Sequence, residues 1–465
     1  MASRSVVFVS LSVALASVSA CERTARAASD TAAATAVAAN SGATPASATV
    51  PPAPRRVPRP DSVRALYVNA WAAGSRARMA ELIRIADQTE INAFIVDIKE
   101  SDTYLTYDNT AIALAKEIGA DQRPATKWLP ALVDTLIAHQ IYPIARIVVF
   151  KDRVLAEKKP ELSIRRTSGE PWRDRKGVAW VNPYDKRVWE YNVAIAKEAL
   201  TMGFSELQWD YVRFPDVTAN ARATMTYPGS NGKSRSDNIR EFINYSKAEL
   251  ASFKVPITAD VFGLVTHLEG DVDIGQNWEA VISSADAVLP MVYPSHYAPG
   301  LYGVARPIAN PYQIVRLALT DAVERSNFVR DSTGKPVGEV MGWLEAMSIR
   351  GAQFGAHEVR LQIQAAYDAG VKSWALWNPG SKFAEFEDAL RPAAGGMSKV
   401  EQRGLNVPPF TLSREKLSMV LRKRDQAAKL AAAAKAAGTA PPPSTAAEPN
   451  TPPSANDSGR QLKRR

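Results

Sequence analysis

Four carboxylates, Asp97, Asp210, Asp260 and Glu345, stand where apolar, strand-like runs of the chain come to an end. A continuous apolar run is how a buried parallel strand reads, and the C-terminal ends of such strands deliver acids to a site. Two carboxyl groups flanking one bond can cleave a glycosidic linkage. One protonates the leaving oxygen while the other attacks carbon or activates water. Asp210 is framed most sharply, in the stretch Glu206-Leu207-Gln208-Trp209-Asp210-Tyr211-Val212-Arg213-Phe214-Pro215. An aspartate at a strand end can instead cap the next loop or pair with an arginine such as Arg213, so the other strand ends must weigh in.

They add Lys99 and Glu100 beside Asp97, Arg146 followed by Lys151 and Asp152, Tyr293 with His296, and Trp377 with Asn378. Acids at four strand ends with aromatics between them describe a polar mouth better than scattered ion pairs. Adjacent strands lie ~4.8 Å apart, which brings Asp210 and Asp260 to roughly the 5–5.5 Å expected of a pair that retains configuration. Aromatic faces suit the apolar C–H faces of sugar rings. Tyr293 and Trp377 hold strand-end positions; Trp71, Trp172, Trp180, Tyr211 and Trp343 are further candidates.

Other chemistries find less support. A zinc site needs His or Cys at recognisable spacing, whereas His139, His267, His296 and His357 are scattered and Cys21 is the single cysteine. No Gly-x-Ser-x-Gly elbow, Walker loop or dinucleotide fingerprint occurs, so no cofactor is expected. A divalent cation held by Asp97, Asp210 and Asp260 is the lesser alternative.

The elements that must position these residues alternate regularly. Strands are predicted at 64–69, 93–98, 142–150, 206–210, 257–261, 287–292, 340–344 and 373–377. Helices with apolar residues at 3.6-residue spacing lie between them, including Met79, Leu82, Ile83 and Ala86, and then Leu129, Leu132, Val133, Leu136 and Ile137. A helix is also expected over about 311–325. Eight strand–helix repeats with polar or aromatic strand endings predict an α/β fold, a (β/α)8 TIM barrel spanning residues 61–392.

The flanks read differently. Residues 1–20 combine Arg4 with a short apolar run, and Val18-Ser19-Ala20-Cys21 resembles a bacterial lipoprotein signal. Acylation of Cys21 would anchor the chain to a membrane of the cell envelope, and Glu22 suits outer-membrane sorting. With no second cysteine, the core must hold without disulfides. Residues 21–60, rich in Ala, Thr, Ser and Pro, read as a tether. Residues 393–437 read as a basic helical extension and 438–465 as a disordered tail. The net charge of +9 over 465 residues is modest and gathers partly in Arg422-Lys423-Arg424 and Lys463-Arg464-Arg465. No nucleic-acid motif accompanies those runs, so no nucleic-acid partner is expected.

Three motifs carry a family resemblance: Ile91-Asn92-Ala93-Phe94-Ile95-Val96-Asp97-Ile98-Lys99; Tyr142-Pro143-Ile144-Ala145-Arg146-Ile147-Val148-Val149-Phe150-Lys151-Asp152; and Gln208-Trp209-Asp210-Tyr211-Val212-Arg213-Phe214-Pro215. Over about Val63 to Leu390 the chain resembles a family of bacterial barrels assigned as glycoside hydrolases and related to the α-amylase-like TIM-barrel enzymes. The resemblance implies a polysaccharide or oligosaccharide substrate and Asp210 as nucleophile. It also implies an acid/base on a later strand, Asp260 first and Glu345 second. Arg146 and Arg213 would keep Asp210 ionised, Asp97 and Lys99 would orient sugar hydroxyls, and Tyr293, Trp377 and Asn378 would line the substrate. The family's Trp-Leu-Gln-Asp-Phe at the seventh strand is replaced here by Trp343-Leu344-Glu345-Ala346-Met347. A catalytically silent barrel that binds glycan or scaffolds the envelope is the alternative reading.

Overall fold

The computed structural model describes residues 54–100 and 104–391. Cys21, the signal stretch, most of the tether, the 393–437 extension and the 438–465 tail lie outside the described residues. Eight parallel strands close into a barrel, each paired with its neighbours in sequence order. They are β1 (Arg64–Val68), β2 (Ala93–Lys99), β3 (Tyr142–Val148) and β4 (Glu206–Asp210), then β5 (Ile257–Phe262), β6 (Ala287–Met291), β7 (Glu339–Glu345) and β8 (Ser373–Trp377). The expected (β/α)8 barrel is the observed architecture.

A helix follows every strand: α1 (Arg76–Gln88), α2 (Leu129–Ala138), α3 (Lys186–Thr201), α4 (Arg235–Leu250), α5 (Trp278–Ile282), α6 (Pro311–Thr333), α7 (Ala356–Asp368) and α8 (Glu387–Leu390). Their starts are capped as their sequences allow. Ser75 accepts from the Arg78 amide, and Asp185 accepts from the Arg187 amide. The apolar stripes face inward, so Met79, Leu82, Ile83 and Ala86 of α1 are all buried. Helix α6 runs about two turns past the expected 325. Beyond 325 only Phe328 and Val329 are apolar, too few to extend the sequence pattern, although Ser326 and Val329 continue the buried face, and the helix stops where Gly334 adopts φ 63° as a left-handed cap.

The tether does not run to residue 60. Val57 is buried, and Arg56 donates to the carbonyls of Leu200 (2.7 Å) and Phe204 (2.9 Å) at the C-terminal end of α3. Arg59 reaches Glu206 at 3.2 Å and Glu339 at 2.7 Å. Composition alone marked this stretch as unable to bury surface, but arginines can satisfy helix-end carbonyls and buried acids without an apolar run.

At the opposite end two features shape the mouth. Gly263, just after β5, lies where an added Cβ would come within 2.4 Å of the Met291 carbonyl oxygen and 2.5 Å of the Tyr297 hydroxyl. Only glycine lets the exits of β5 and β6 approach so closely. The chain after β3 forms a flap whose strand Arg165–Arg166 pairs antiparallel with Met225–Thr226 from the β4–α4 connection. Ile164, Trp172, Trp180 and Met225 give this flap its own small core, with Tyr211 packed against it.

Candidate active site

Inward-facing positions at the C-terminal ends of β2, β3, β4 and β5 build the site. Asp97 on β2 pairs in register with Arg146 on β3, and Val148 pairs with Asp210 on β4. The Arg146 guanidinium donates to both Asp97 and Asp210, and its Nε lies 3.9 Å from Asp260 Oδ2. Tyr67 of β1 donates its hydroxyl to Asp97, and the Tyr67 ring lies 5.4 Å from the Arg146 guanidinium carbon. Three carboxylates thus surround one cation, and all four groups are largely buried. Arg146 fills the centre that a divalent ion shared by Asp97, Asp210 and Asp260 would need.

Burial sets the electrostatics. Three acids around one arginine cannot all ionise cheaply in a dry site. Asp260 carries the excess: burial, then the neighbouring Asp210 charge, push it well above the usual carboxylate range, against the pull of Arg146. Burial also raises Asp97, with Arg146 and the Tyr67 hydroxyl opposing. The two candidate catalytic acids differ in their contacts. Asp210 accepts from Arg146 and from the Tyr211 amide (2.5 Å). Asp260 Oδ1 accepts from Trp343 Nε1 at 2.8 Å, whereas Oδ2 has no hydrogen-bond partner among the described residues.

The remaining predicted residues divide. Tyr293 stacks on Trp377, with ring centroids 5.0 Å apart and planes 19° from parallel. Burial raises Tyr293 strongly, followed by the charges of Asp260 and Asp210. Glu345, opposite Trp377 in register, has its carboxylate taken up by Ser295, whose hydroxyl donates at 2.5 Å and whose amide donates at 3.0 Å. It makes no ion pair with Arg146 among the described residues. Trp71 stands on the short helix Ala70–Gly74 after β1 with 75% of its surface exposed.

Three expected contacts do not form. Lys99 is fully buried and donates to Asp152 (2.8 Å) and to Asn192 of α3 (2.7 Å), so it cannot orient a sugar hydroxyl. The register of β2 against β3 slips between Asp97 and Lys99, and that bulge parts two residues that simple alternation would point the same way. Arg213 forms no ion pair with Asp210 among the described residues. Instead its guanidinium carbon lies 4.5 to 5.1 Å from the rings of Phe262, Tyr211 and Trp180. The chain leaves the strand at Tyr211, whose φ of 49° turns it away. Asn378 is spent on its own turn, donating to the Ala346 carbonyl and accepting from the amides of Gly380 and Lys382.

Sequence reasoning missed Tyr67 and Ser295, and it weighed Trp343 as core or sugar platform without foreseeing its bond to Asp260. Tyr67 and Trp343 were legible by alternation, since each shares the inward parity of its strand. Nothing local marks Ser295 as the partner of an acid 50 residues away.

A family model described as "Putative glycosyl hydrolase domain" matches residues 65–383. A hypothetical protein from Ruminiclostridium thermocellum is 38% identical over 42% of this chain and 97% of its own, with a TM-score of 0.39. The glycoside hydrolase domain of PgaB (BpsB) from Bordetella bronchiseptica is 12% identical over 72% of this chain and 100% of its own, with a TM-score of 0.54. That likeness is one of fold. The glycoside hydrolase domain of PelA from Pseudomonas aeruginosa is 13% identical over 70% of this chain and 96% of its own, with a TM-score of 0.38. No curated protein matches.

Proposed function

Because the chain belongs to the glycosyl hydrolase domain family that this model describes, we propose that it hydrolyses a cell-envelope or extracellular polysaccharide with Asp210 as nucleophile and Asp260 as acid/base. The observation that carries the assignment is the unequal treatment of the two aspartates. Asp210 is held by Arg146 and an amide, while Asp260 keeps its proton to higher pH than an ordinary carboxylate and its Oδ2 accepts no hydrogen bond among the described residues. A held carboxylate beside a buried acid is the division of labour that glycoside cleavage requires. Glu345 is less suited, because Ser295 occupies both of its oxygens.

In the first step a carboxylate oxygen of Asp210 attacks the anomeric carbon as its bond to the leaving oxygen breaks. Asp260 gives its proton to that oxygen. In the second step Asp260 takes a proton from water, the hydroxide oxygen bonds to the anomeric carbon, and Asp210 is released. Arg146 stabilises Asp210 when it regains its charge. The stacked Tyr293–Trp377 pair supplies a flat apolar wall, and Asp97, buried with its two oxygens taken by Tyr67 and Arg146, serves to hold Arg146 in place instead of meeting sugar hydroxyls. The kinship with α-amylase-like barrels implied by the motifs belongs to this proposal, since it is what makes the fourth-strand aspartate the attacking group.

The test is reducing-end release from a panel of envelope and extracellular glycans by the wild-type chain and Asp210→Asn. Turnover that falls by at least about 10⁴-fold in the variant, while melting is unchanged, is the expected result. Turnover that survives would move the chemistry elsewhere, and glycan binding with no turnover in either chain would favour a silent barrel. The lipid anchor at Cys21, with attachment to the outer membrane, is part of the same proposal and rests on Val18-Ser19-Ala20-Cys21. Labelled fatty acid should enter the wild-type chain in cells and be absent from Cys21→Ser.

A further inference from the structure

Every deeply buried Lys or Arg among the described residues is matched by an acid of the chain, except one. Lys99 has Asp152, Arg146 has Asp97 and Asp210, and Arg325 grips Glu279 through two bonds of 2.7 and 2.9 Å. Arg213 is only 8% exposed, yet its single hydrogen bond runs from Nη1 to the Phe214 carbonyl at 3.0 Å. Its other donors have no partner among the described residues. Burial pulls its guanidinium below the usual value, and Tyr211, Asp210 and Asp216 offset that only in part. A charge buried without a counter-ion is costly, so a group held this way is explained by a ligand that brings the missing charge.

The surroundings fit a sugar. Trp180, Tyr211 and Phe262 enclose the guanidinium at 4.5 to 5.1 Å, and Trp180 meets Tyr211 edge-on at 5.9 Å. Lys151, half-buried, sets its ammonium 4.8 Å from the centre of the Tyr211 ring and has no acidic partner among the described residues. Tyr211 follows Asp210 directly and is held at φ 49°, a conformation that a bulky residue adopts only when its surroundings impose it. That turn sets its ring 4.8 Å from both the Lys151 ammonium and the Arg213 guanidinium carbon. The flap that brings Trp180 in is itself basic: residues 151–180 hold nine Lys or Arg against five Asp or Glu.

The geometry points to a subsite for an anionic sugar, bound by Arg213 and Lys151 over the Trp180–Tyr211–Phe262 rings, immediately beside the bond that Asp210 attacks. This rests on the hydrolase reading and names its substrate class: a glycan whose units carry a carboxylate, as uronic acids do, or a sulfate ester. The planar fork of an arginine matches a carboxylate with two parallel bonds. The basic flap would draw such a chain in from solution.

The test is equilibrium binding to the full chain carrying Asp210→Asn, which stops turnover, with three probes: a galacturonate hexamer, a sulfated maltohexaose and plain maltohexaose. At low salt one anionic probe should bind about tenfold or more tighter than the neutral one, as a charge-assisted contact allows. Adding Arg213→Gln should bring that ratio to about one, and Lys151→Gln should lower it about threefold. Preference for the galacturonate or for the sulfated probe identifies the anion. A ratio near one in the parent, or a ratio untouched by both substitutions, overturns the subsite. Should Arg213→Gln fail to fold, Lys151→Gln decides by the same ratio. Turnover of a neutral glycan without anion preference would sink this inference and leave hydrolysis standing. Anion preference lost in Arg213→Gln, with no glycan cleaved by the wild type, would do the reverse.

Discussion

At the N-terminal end of the barrel Arg59 lies between Glu206 and Glu339; at the C-terminal end Arg146 lies between Asp97 and Asp210. Both are arginines gripping acids from different strands, yet the two ends are finished in different ways. Below, the protein supplies its own closure. Tyr142 adds a hydroxyl to Glu206 Oε2, Ser373 adds one to Glu339, and the segment before β1 brings Arg59 across the opening, although Glu206 Oε1, like Asp260 Oδ2, has no hydrogen-bond partner among the described residues. Above, three acids share one cation, Asp260 Oδ2 has no hydrogen-bond partner among the described residues, and the stacked pair of buried Tyr293 and partly exposed Trp377 stands alongside. The lesson is that a buried arginine–carboxylate cluster is not in itself a site. What separates the two ends is what surrounds the cluster: below, a segment of the chain crosses it, and above, three acids share the cation at the strand ends where barrel sites are assembled.

Breaking each end should therefore cost different things. Asp260→Asn should lower turnover by about 10²- to 10⁴-fold, the range for a lost proton-transfer group, with little change in melting. The loss should shrink for a substrate whose leaving group needs no proton. Steady-state rates on paired activated and natural substrates measure this, and an equal loss on both would shift the acid role to Glu345. Arg59→Ala should do the opposite. It strips Glu206 of its counter-ion and should cost roughly 2 kcal/mol, less than for a fully buried pair because Arg59 keeps 28% exposure. Turnover per folded molecule should stay the same, and denaturant unfolding beside an activity assay distinguishes the outcomes.

The lower end also has its own pH signature. Burial pushes Glu206 up to about 7, with Arg59 opposing. Its unfolded value is about 4.3, so between those pH values the unfolded chain releases this proton while the folded chain keeps it. Stability from this group is complete below about 4.3 and lost as pH rises through about 7. Glu206→Gln should flatten that part of the stability profile, read by melting at a series of pH values. The smallest effect sharpens the upper end. Trp343 donates to Asp260 and lowers it, so Trp343→Phe should raise Asp260 further. The alkaline limb of the activity profile should then move to higher pH, and an unmoved or acid-shifted limb would separate Asp260 from that titration.

Much of the frame was legible in the chain itself. Eight apolar runs, each separated by helical spacing, determined the barrel and its strand order, because local periodicity reports which face of an element must be buried. The same runs marked Asp97, Asp210, Asp260 and Glu345 as strand-end acids. Which partner each side chain takes was decided only by the tertiary structure. A one-residue bulge sent Lys99 to Asp152 and Asn192, and a left-handed Tyr211 sent Arg213 into three aromatic rings. Arg59 found Glu339 from 280 positions away, and Trp343 found Asp260 from 83. Hydrogen bonds and charges act over a few ångströms of space and carry no trace along the sequence. The chain alone could therefore name the acids at the mouth but not say which of them the fold would leave holding a proton.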